Sequence, residues 1–292
     1  MSLFWWKRKS NEIVYKKHKK IKLGLALSGG GARGIGHIGV IKAFEELGVD
    51  FDVVSGTSAG SLVGALYAYG WTGKQMEEAL NGLSVKDIKG KGFTFFPSST
   101  NSLIATVERL LGGQKVFSDL KKQFVAVSTN LKTGKEVWIE SGSIAKAIAC
   151  SCAVPGAFKP VVWDDKILCD GGLVNSVPVN VCKALGADVV IAVDVNSTRG
   201  DGKDIKGITD VISSTIGIML KSNATSYLDM ADIVLSPNLK KFKSSKLVGD
   251  AKEMIEEGEN VVLSRKDEII KLLNQKPRKN KIKWIQKDVE HI

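Results

Sequence analysis

A serine between glycines, in the segment Gly56-Thr57-Ser58-Ala59-Gly60, most strongly constrains how this chain folds. An apolar run at residues 51–55 precedes it, and the apolar residues after it repeat at the spacing of one helix face: Leu62, Ala65, Leu66 and Tyr69. A strand, a sharp turn and a helix in this order predict a nucleophile elbow, whose turn needs small residues on either side of the serine. The Ser58 hydroxyl would then stand over a helix N-terminus, which favours developing negative charge. The alternative is a tightly packed turn without chemistry.

The order of the apolar segments predicts the fold class. Strands are predicted at residues 21–27, 52–55, 124–129, 136–140, 161–163, 166–169, 187–194 and 231–235. Helices are predicted from the first glycine loop to about residue 47 and at residues 58–69, 143–150, 207–228 and 247–273, with an irregular helical stretch at 73–122 around an apolar segment at 93–97. Strands that alternate with helices form mostly parallel sheets covered on both faces. The sequence therefore predicts an α/β protein, a three-layer α/β/α sandwich with a mostly parallel central sheet.

The charge is concentrated at the two ends of the chain. The net charge is +11, yet residues 1–22 hold eight Lys/Arg and one Glu, and residues 276–287 hold six Lys/Arg and no acid. This pattern predicts a basic, aromatic leader at residues 1–20, a nearly neutral central domain at 21–275 and a basic tail at 276–292. Basic segments bind anionic surfaces, and the leader's aromatic residues favour a peripheral membrane surface over nucleic acid: Phe4, Trp5 and Trp6. The alternative is that both ends are solvated and aid solubility.

The sequence shows no apolar stretch of membrane-spanning length and no secretory signal. The four cysteines lack zinc-site spacing and are expected to be buried, reduced thiols: Cys150, Cys152, Cys169 and Cys182. These features predict a cytoplasmic protein, bound at the inner face of the membrane where its basic ends attach.

A second glycine motif, at residues 28–34, allows two interpretations. Gly29, Gly31 and Gly34 satisfy the spacing of a dinucleotide-binding loop, but Asp50 and Asp52 precede the second strand instead of following it. No Lys-Ser/Thr pair follows the glycines either, so a phosphate-binding P-loop is excluded.

The other interpretation of these glycines is an oxyanion hole. The amides of Gly29, Gly30 and Gly31 would point at a reacting carbonyl oxygen, and Arg33 would lock the loop or add positive charge. The carboxyl ends of parallel strands meet at one edge of a sheet, so this loop is expected to face Ser58.

A nucleophilic serine needs a general base. His18 and His291 lie near the chain ends, and His37 sits among small residues where close packing is the more natural role. Asp170 directly follows a strand and precedes two glycines, which fits a carboxylate placed against the serine. The alternatives are an ordinary Asp-Gly turn at Asp170 and a His37-dependent triad.

Together these motifs resemble the patatin-like phospholipase family, in the bacterial branch similar to the catalytic domain of neuropathy target esterase. The resemblance covers about residues 22–265 and includes the segment Ser151–Pro160, similar to the family's Ser-x-x-x-Pro-x-x-Phe-x-Pro. It implies a patatin-like fold and a dyad in which Ser58 is the nucleophile and Asp170 the base. It also implies oxyanion donors at Gly29–Gly31 supported by Arg33, within motifs completed by Gly34, Gly56, Gly60, Gly171 and Gly172. Ser28 and Asn130 depart from the family, which often has Asp at both positions.

The resemblance implies a phospholipase A or lysophospholipase-type carboxylic ester hydrolase that works through an acyl-serine and needs no metal or cofactor. A lipid ester is the expected substrate. The alternatives are a lipid-binding or scaffold protein with low turnover, and an acyltransferase. Headgroup, acyl chain, positional preference and oligomeric state are not readable from the sequence.

Overall fold

The computed structural model describes residues 21–80, 82, 99–197, 207–242, 250–274 and 289–292. The predicted leader at 1–20, the apolar segment at 93–97 and the basic residues at 276–287 lie outside these ranges. Among the described residues, no helix is long and apolar enough to cross a membrane.

The described strands follow the predicted order closely. They are β1 (Leu23–Leu27), β2 (Val53–Thr57), β3 (Gln123–Asn130), β4 (Glu136–Ile139), β5 (Val161–Trp163), β6 (Lys166–Asp170), β7 (Val189–Val193), β8 (Ile233–Leu235) and β9 (Val289–His291). The helices are α1 (Gly36–Glu46), α2 (Ala59–Tyr69), α3 (Gly73–Leu80), α4 (Asn101–Leu111), α5 (Ile144–Ser151), α6 (Val179–Ala184), α7 (Ile208–Leu228), α8 (Ala251–Leu263) and α9 (Lys266–Leu273).

One mixed, mostly parallel sheet organises the chain, in the order β5-β6-β3-β2-β1-β7-β8. The five strands from β3 to β8 in this order are parallel, whereas β4 and β6 run antiparallel to β3. Side chains of β1 alternate between two apolar clusters, with Leu25 on one face of the sheet and Ala26 on the other. Helices α1, α2 and α8 contribute to the first cluster, and α6 and α7 to the second. The predicted three-layer α/β/α architecture is confirmed.

The strand β3 brings two other strands together end to end. Its residues 123–127 pair with β2, and its residues 128–130 pair with β6. Both partners lie along the same edge of β3, because β4 occupies the opposite edge at residues 126–129. The carboxyl ends of β2 and β6 therefore meet beside β3.

The structure differs from the prediction at the C-terminus. Residues 276–292 were expected to form a tail, but Val289–His291 is strand β9, which pairs in parallel with β4. Asn130 Nδ2 also donates to Glu290 Oε2 at 2.8 Å. Three residues are too few for a recognisable period, and the described contacts of β9 are with segments more than 100 residues away in sequence.

The helix predicted at 247–273 is also two helices, α8 and α9. Arg265 leaves the helical conformation at φ −115°, and its guanidinium donates through Nη1 to Val234 O. This contact with β8 turns the chain between the two helices.

Candidate active site

Ser58 alone forms the turn between β2 and α2. Its backbone adopts φ 52° and ψ −124°, a conformation that costs a non-glycine residue about 1–3 kcal/mol. The flanking glycines are required by close contacts: a Cβ on Gly56 would lie 2.4 Å from the carbonyl oxygen of Gly60, and one on Gly60 would lie 2.3 Å from that of Leu27. The strand, turn and helix are arranged as the motif predicts.

Two buried serine hydroxyls hold the backbone of Ser58 in this conformation. The Ser58 amide donates to Ser151 Oγ at 2.9 Å, and Ser151 Oγ donates onward to Val127 O at 2.6 Å. On the other side, Ser61 Oγ donates to Ser58 O at 2.6 Å. Neither Ser151 nor Ser61 was predicted to have a role. The one sequence signal for Ser151 was its place at the start of the segment Ser151–Pro160, which is similar to a family motif.

Asp170 lies at the end of β6, where that strand meets β2. Its Oδ1 accepts a hydrogen bond from Gly172 N at 2.8 Å, while its buried Oδ2 has no hydrogen-bond partner among the described residues. Burial raises the pKa of Asp170 to about 6, against the opposing effects of the Ser58 hydroxyl and the Gly172 amide. Proximity to the Ser58 hydroxyl and an oxygen without a hydrogen bond are the properties of a proton acceptor for that hydroxyl.

The two glycines after Asp170 allow close approach on both sides. A Cβ on Gly171 would lie 2.3 Å from Val127 O, and one on Gly172 would lie 2.2 Å from Leu220 Cδ2 of α7. The Asp-Gly-Gly segment is therefore clamped between β3 and α7, which fixes where the carboxylate points.

The glycine motif at residues 28–34 forms a loop between β1 and α1 that borders Ser58. A Cβ on Gly29 would lie only 3.3 Å from Ser58 Cβ. The Gly29 amide, however, donates to Ser176 O at 3.0 Å. The prediction of three oxyanion donors is therefore corrected: the Gly29 amide is already committed to this bond. The described hydrogen bonds leave the amides of Gly30 and Gly31 without an acceptor.

Arg33 and Gly34 fix the same loop against neighbouring elements. The buried Arg33 side chain donates through Nε to Phe242 O at 2.9 Å, a contact that fits the locking role. A Cβ on Gly34 would lie 2.4 Å from Ala59 Cβ, so the loop packs on the start of α2.

His37 is enclosed within the fold and hydrogen-bonded to the backbone. It is fully buried, its Nε2 donates to Ser28 O at 2.9 Å, and burial lowers its pKa to about 4. The neutral His37 ring thus holds the carbonyl of Ser28, the residue directly before Gly29. His291 contacts Glu140 on the far side of β4, and His18 lies outside the described residues. These contacts give no support to a histidine as the base.

The acidic residues that a dinucleotide site would need lie at the opposite end of the sheet. Asp52 Oδ2 accepts from the amide of Leu23, the first residue of β1, whereas the glycine loop follows Leu27, its last residue. This geometry is consistent with the sequence argument against a dinucleotide site, which was that Asp50 and Asp52 precede the second strand.

Cys152 places a thiol beside the candidate dyad. Its Sγ lies 3.9 Å from Ser61 Oγ, and burial together with the Asp170 charge raises the pKa of the thiol to about 12. The thiol is therefore neutral and lines the site as a small, weakly polar group. The other three cysteines are buried, as predicted, whereas Cys152 is only half-buried.

The fold and this site belong to a known class of proteins. Residues 25–183 match the family described as patatin-like phospholipase, which is more than half of the chain. The chain therefore belongs to the patatin-like phospholipase family.

Curated relatives agree with this assignment. The chain is 32% identical to lysophospholipase nte1 of Aspergillus fumigatus over 196 residues, which are 63% of this chain and 12% of that protein. It is 31% identical to an uncharacterised NTE family protein of Mycobacterium tuberculosis over 222 residues, 71% of this chain and 60% of that one. The predicted similarity to neuropathy target esterase is confirmed, while the chain spans less than two thirds of either relative.

Solved structures share the fold at low sequence identity. VipD from Legionella pneumophila superposes with a TM-score of 0.56 at 14% identity, covering 87% of this chain and 70% of that one. Human GIVD cytosolic phospholipase A2 gives 0.52 at 11% identity, covering 87% and 60%. The predicted patatin-like fold is thereby confirmed.

Proposed function

We propose that this protein hydrolyses carboxylic esters of lipids, with Ser58 as nucleophile and Asp170 as general base. The observation that carries the proposal is the meeting of β2 and β6, which sets a serine in a strained elbow against a buried carboxylate with one uncommitted oxygen. Membership of the patatin-like phospholipase family supports the lipid ester as substrate.

The reaction begins when Ser58 Oγ attacks the ester carbonyl carbon and its proton passes to Asp170 Oδ2. The carbonyl oxygen becomes an oxyanion that accepts hydrogen bonds from the amides of Gly30 and Gly31. Collapse breaks the bond to the alcohol, which leaves with the proton from Asp170, and an acyl-Ser58 ester remains. Water then repeats the sequence with Asp170 as its base, releasing the fatty acid and returning the proton to Ser58.

Burial tunes the base for this task. An exposed aspartate has a pKa of about 3.9 and is a poor acceptor for a serine proton. A pKa of about 6 makes Asp170 a stronger base that is still largely ionised at neutral pH. The base remains far weaker than a serine alkoxide, so the glycine amides are expected to supply most of the barrier lowering.

The loop, the elbow and the base are each fixed by packing before substrate binds. Arg33 anchors the glycine loop to Phe242, Ser151 anchors the elbow to β3, and Gly172 anchors the carboxylate. Donors and acceptors that need no reorganisation stabilise a transition state more than mobile ones do.

Covalent labelling tests the proposal directly. A fluorophosphonate should add mass to the wild-type protein at Ser58, and Ser58→Ala should lose both the label and the hydrolysis of a p-nitrophenyl ester. Ser55→Ala is the matched control, because Ser55 is a buried serine three residues earlier, on β2, whose hydroxyl donates to Pro178 O. Labelling that survives Ser58→Ala would overturn the assignment.

Two further functions that the sequence allows make different predictions for the same preparation. A lipid-binding scaffold would bind vesicles without measurable ester turnover. An acyltransferase would form a new ester when an alcohol or lysolipid is added, in preference to free fatty acid.

A further inference from the structure

The turn that follows β7 wraps around the glycine loop of the candidate active site. Val195 N donates to Ser28 Oγ at 3.0 Å, and Asn196 Nδ2 donates to Gly29 O at 2.5 Å. The Asn196 side chain is buried, at 5% exposure. Asn196 lies beyond residues 25–183, the range that matches the family.

The contact between Asn196 and Gly29 determines where a neighbouring amide points. The carbonyl of Gly29 and the N–H of Gly30 belong to one planar trans peptide, so the two groups point in opposite directions. A donor that holds the Gly29 carbonyl on one side therefore aims the Gly30 N–H to the other. We propose that Asn196 is a positioning residue that orients the Gly30 N–H as an oxyanion donor.

The surroundings of Asn196 make it a rigid support. The backbone N–H of Asn196 donates to Asp194 Oδ1 at 2.9 Å, which closes the turn, and Asp194 is itself buried. The Val195 side chain fills the space beside Gly30, where a Cβ would lie 2.4 Å from Val195 Cγ2.

The two peptide groups that meet at Gly29 are thus each restrained, Ser28–Gly29 through its N–H and Gly29–Gly30 through its carbonyl. The Gly29 amide is bonded to Ser176 O, and the Gly29 carbonyl is bonded to Asn196. Rotation of the Gly29–Gly30 peptide would break the Asn196 bond and leave a buried carbonyl unpaired, which is unfavourable. This restraint provides the preorganisation on which oxyanion stabilisation depends.

The role of Ser28 follows from the same geometry. The Ser28 hydroxyl accepts the Val195 backbone amide. Ser28 therefore joins the start of the glycine loop to the turn after β7.

The inference rests on the proposed hydrolase function, and it is tested with two variants and a control. Asn196→Ala removes the donor, and Asn196→Leu removes it while keeping a similar volume. Asn180→Ala is the control: Asn180 is also buried and donates through Nδ2, but to Glu136 Oε1. Thermal unfolding establishes that each variant is folded.

The measurements are kcat and KM for a soluble ester, and the inhibition constant of a trifluoromethyl ketone, whose adduct with Ser58 places an oxyanion in the hole. Both Asn196 variants should lower kcat by about ten- to a hundredfold, less than the ~10²–10³ for outright loss of one donor. KM should change little, and ketone affinity should fall by the same factor as kcat/KM. Asn180→Ala should retain wild-type kcat and ketone affinity.

The outcomes separate the inference from the function on which it rests. A wild-type protein that neither hydrolyses the ester nor binds the ketone would overturn the hydrolase function, and the inference with it. An active wild type whose Asn196 variants match Asn180→Ala would overturn the inference alone. A raised KM with unchanged kcat would also overturn it, because Asn196 would then act on substrate binding.

Discussion

Thr57 and Asp170 lie opposite consecutive residues of one strand. Thr57, the last residue of β2, pairs with Val127, and Asp170, the last residue of β6, pairs with Ser128. This register brings together the proposed nucleophile and the proposed base, because Ser58 is the residue after Thr57. A shift of β6 by one position along β3 would turn the Asp170 side chain to the other face of the sheet.

Replacing Asp170 by Asn should separate catalysis from folding. The amide keeps the shape and the acceptor for Gly172 but cannot take the serine proton, so kcat should fall by about 10²–10⁴. Asp165→Asn, in the exposed turn between β5 and β6, is the control and should stay active. Near-normal turnover in Asp170→Asn would contradict the dyad.

The same substitution should stabilise the protein near neutral pH. Burial raises the Asp170 pKa from 3.8 to about 6, so the folded state holds this proton more tightly than the unfolded state. Stability is therefore lost as pH rises from about 4 to about 6, and a neutral amide escapes that loss. Asp170→Asn should raise the free energy of unfolding by roughly 1–3 kcal/mol at pH 7, as measured by chemical denaturation. A lower free energy of unfolding than wild type at pH 7 would count against the raised pKa.

The proposed hydrolase activity of the wild-type protein should rise with pH through the pKa of Asp170. Asp170 must be ionised to accept the proton, so log kcat/KM for a soluble ester should increase up to about pH 6 and then level off. The pKa of His37 is lowered to about 4, so His37 should not shape the profile near pH 6. A limb near pH 6 that persists in the residual activity of Asp170→Asn would assign the titration to another group.

The oxyanion loop can be tested with two glycines of similar backbone conformation. Gly31 has φ 57° in the site, and Gly48 has φ 70° in an open turn, where an added Cβ would meet no heavy atom within 4 Å. Both Gly→Ala substitutions carry a similar backbone strain, but only Gly31→Ala should also raise the activation barrier, by roughly 3 kcal/mol. Equal kcat in the two variants would mean that Gly31 serves the turn and not the reaction.

Ser151 should contribute to catalysis through the elbow. Ser151→Ala removes the acceptor for the Ser58 amide. The rise in the activation free energy, calculated from kcat, should exceed the loss in the free energy of unfolding. Ser143→Ala, which removes the N-cap of the same helix, costs about 1 kcal/mol of stability and should leave kcat unchanged. Parallel losses of kcat in both variants would assign the effect to α5 as a whole.

The basic ends should bind anionic lipid. Each cationic side chain near such a surface contributes about 1 kcal/mol at most, screened by salt. Deleting residues 1–20 should weaken binding to anionic vesicles and leave hydrolysis of a soluble ester intact. At the other end, Lys/Arg at 276–287 should be neutralised instead of truncated, because truncation would also remove β9. Equal binding of wild type to anionic and zwitterionic vesicles at low salt would contradict this role.

Local patterns were enough to predict the α/β class, the elbow at Ser58 and the candidate base Asp170. Each depends on short-range physics: the period of apolar residues, the small residues that a sharp turn demands, and an acid at the end of a strand. The short helix α6 and the strand β9 were missed, because six or three residues carry too little periodicity.

The sequence determined which residues are able to act, and the tertiary structure decided which of their groups are free to do so. Contacts between distant segments made this decision. They bond the Gly29 amide to Ser176 and the Asn196 side chain to Gly29. They also bond His37 to Ser28 and Ser151 to Ser58. Such contacts depend on strand register and layer packing, which no local pattern contains. A hydrogen bond uses up a donor whatever the motif around it, so the partners of these groups had to be read from the fold.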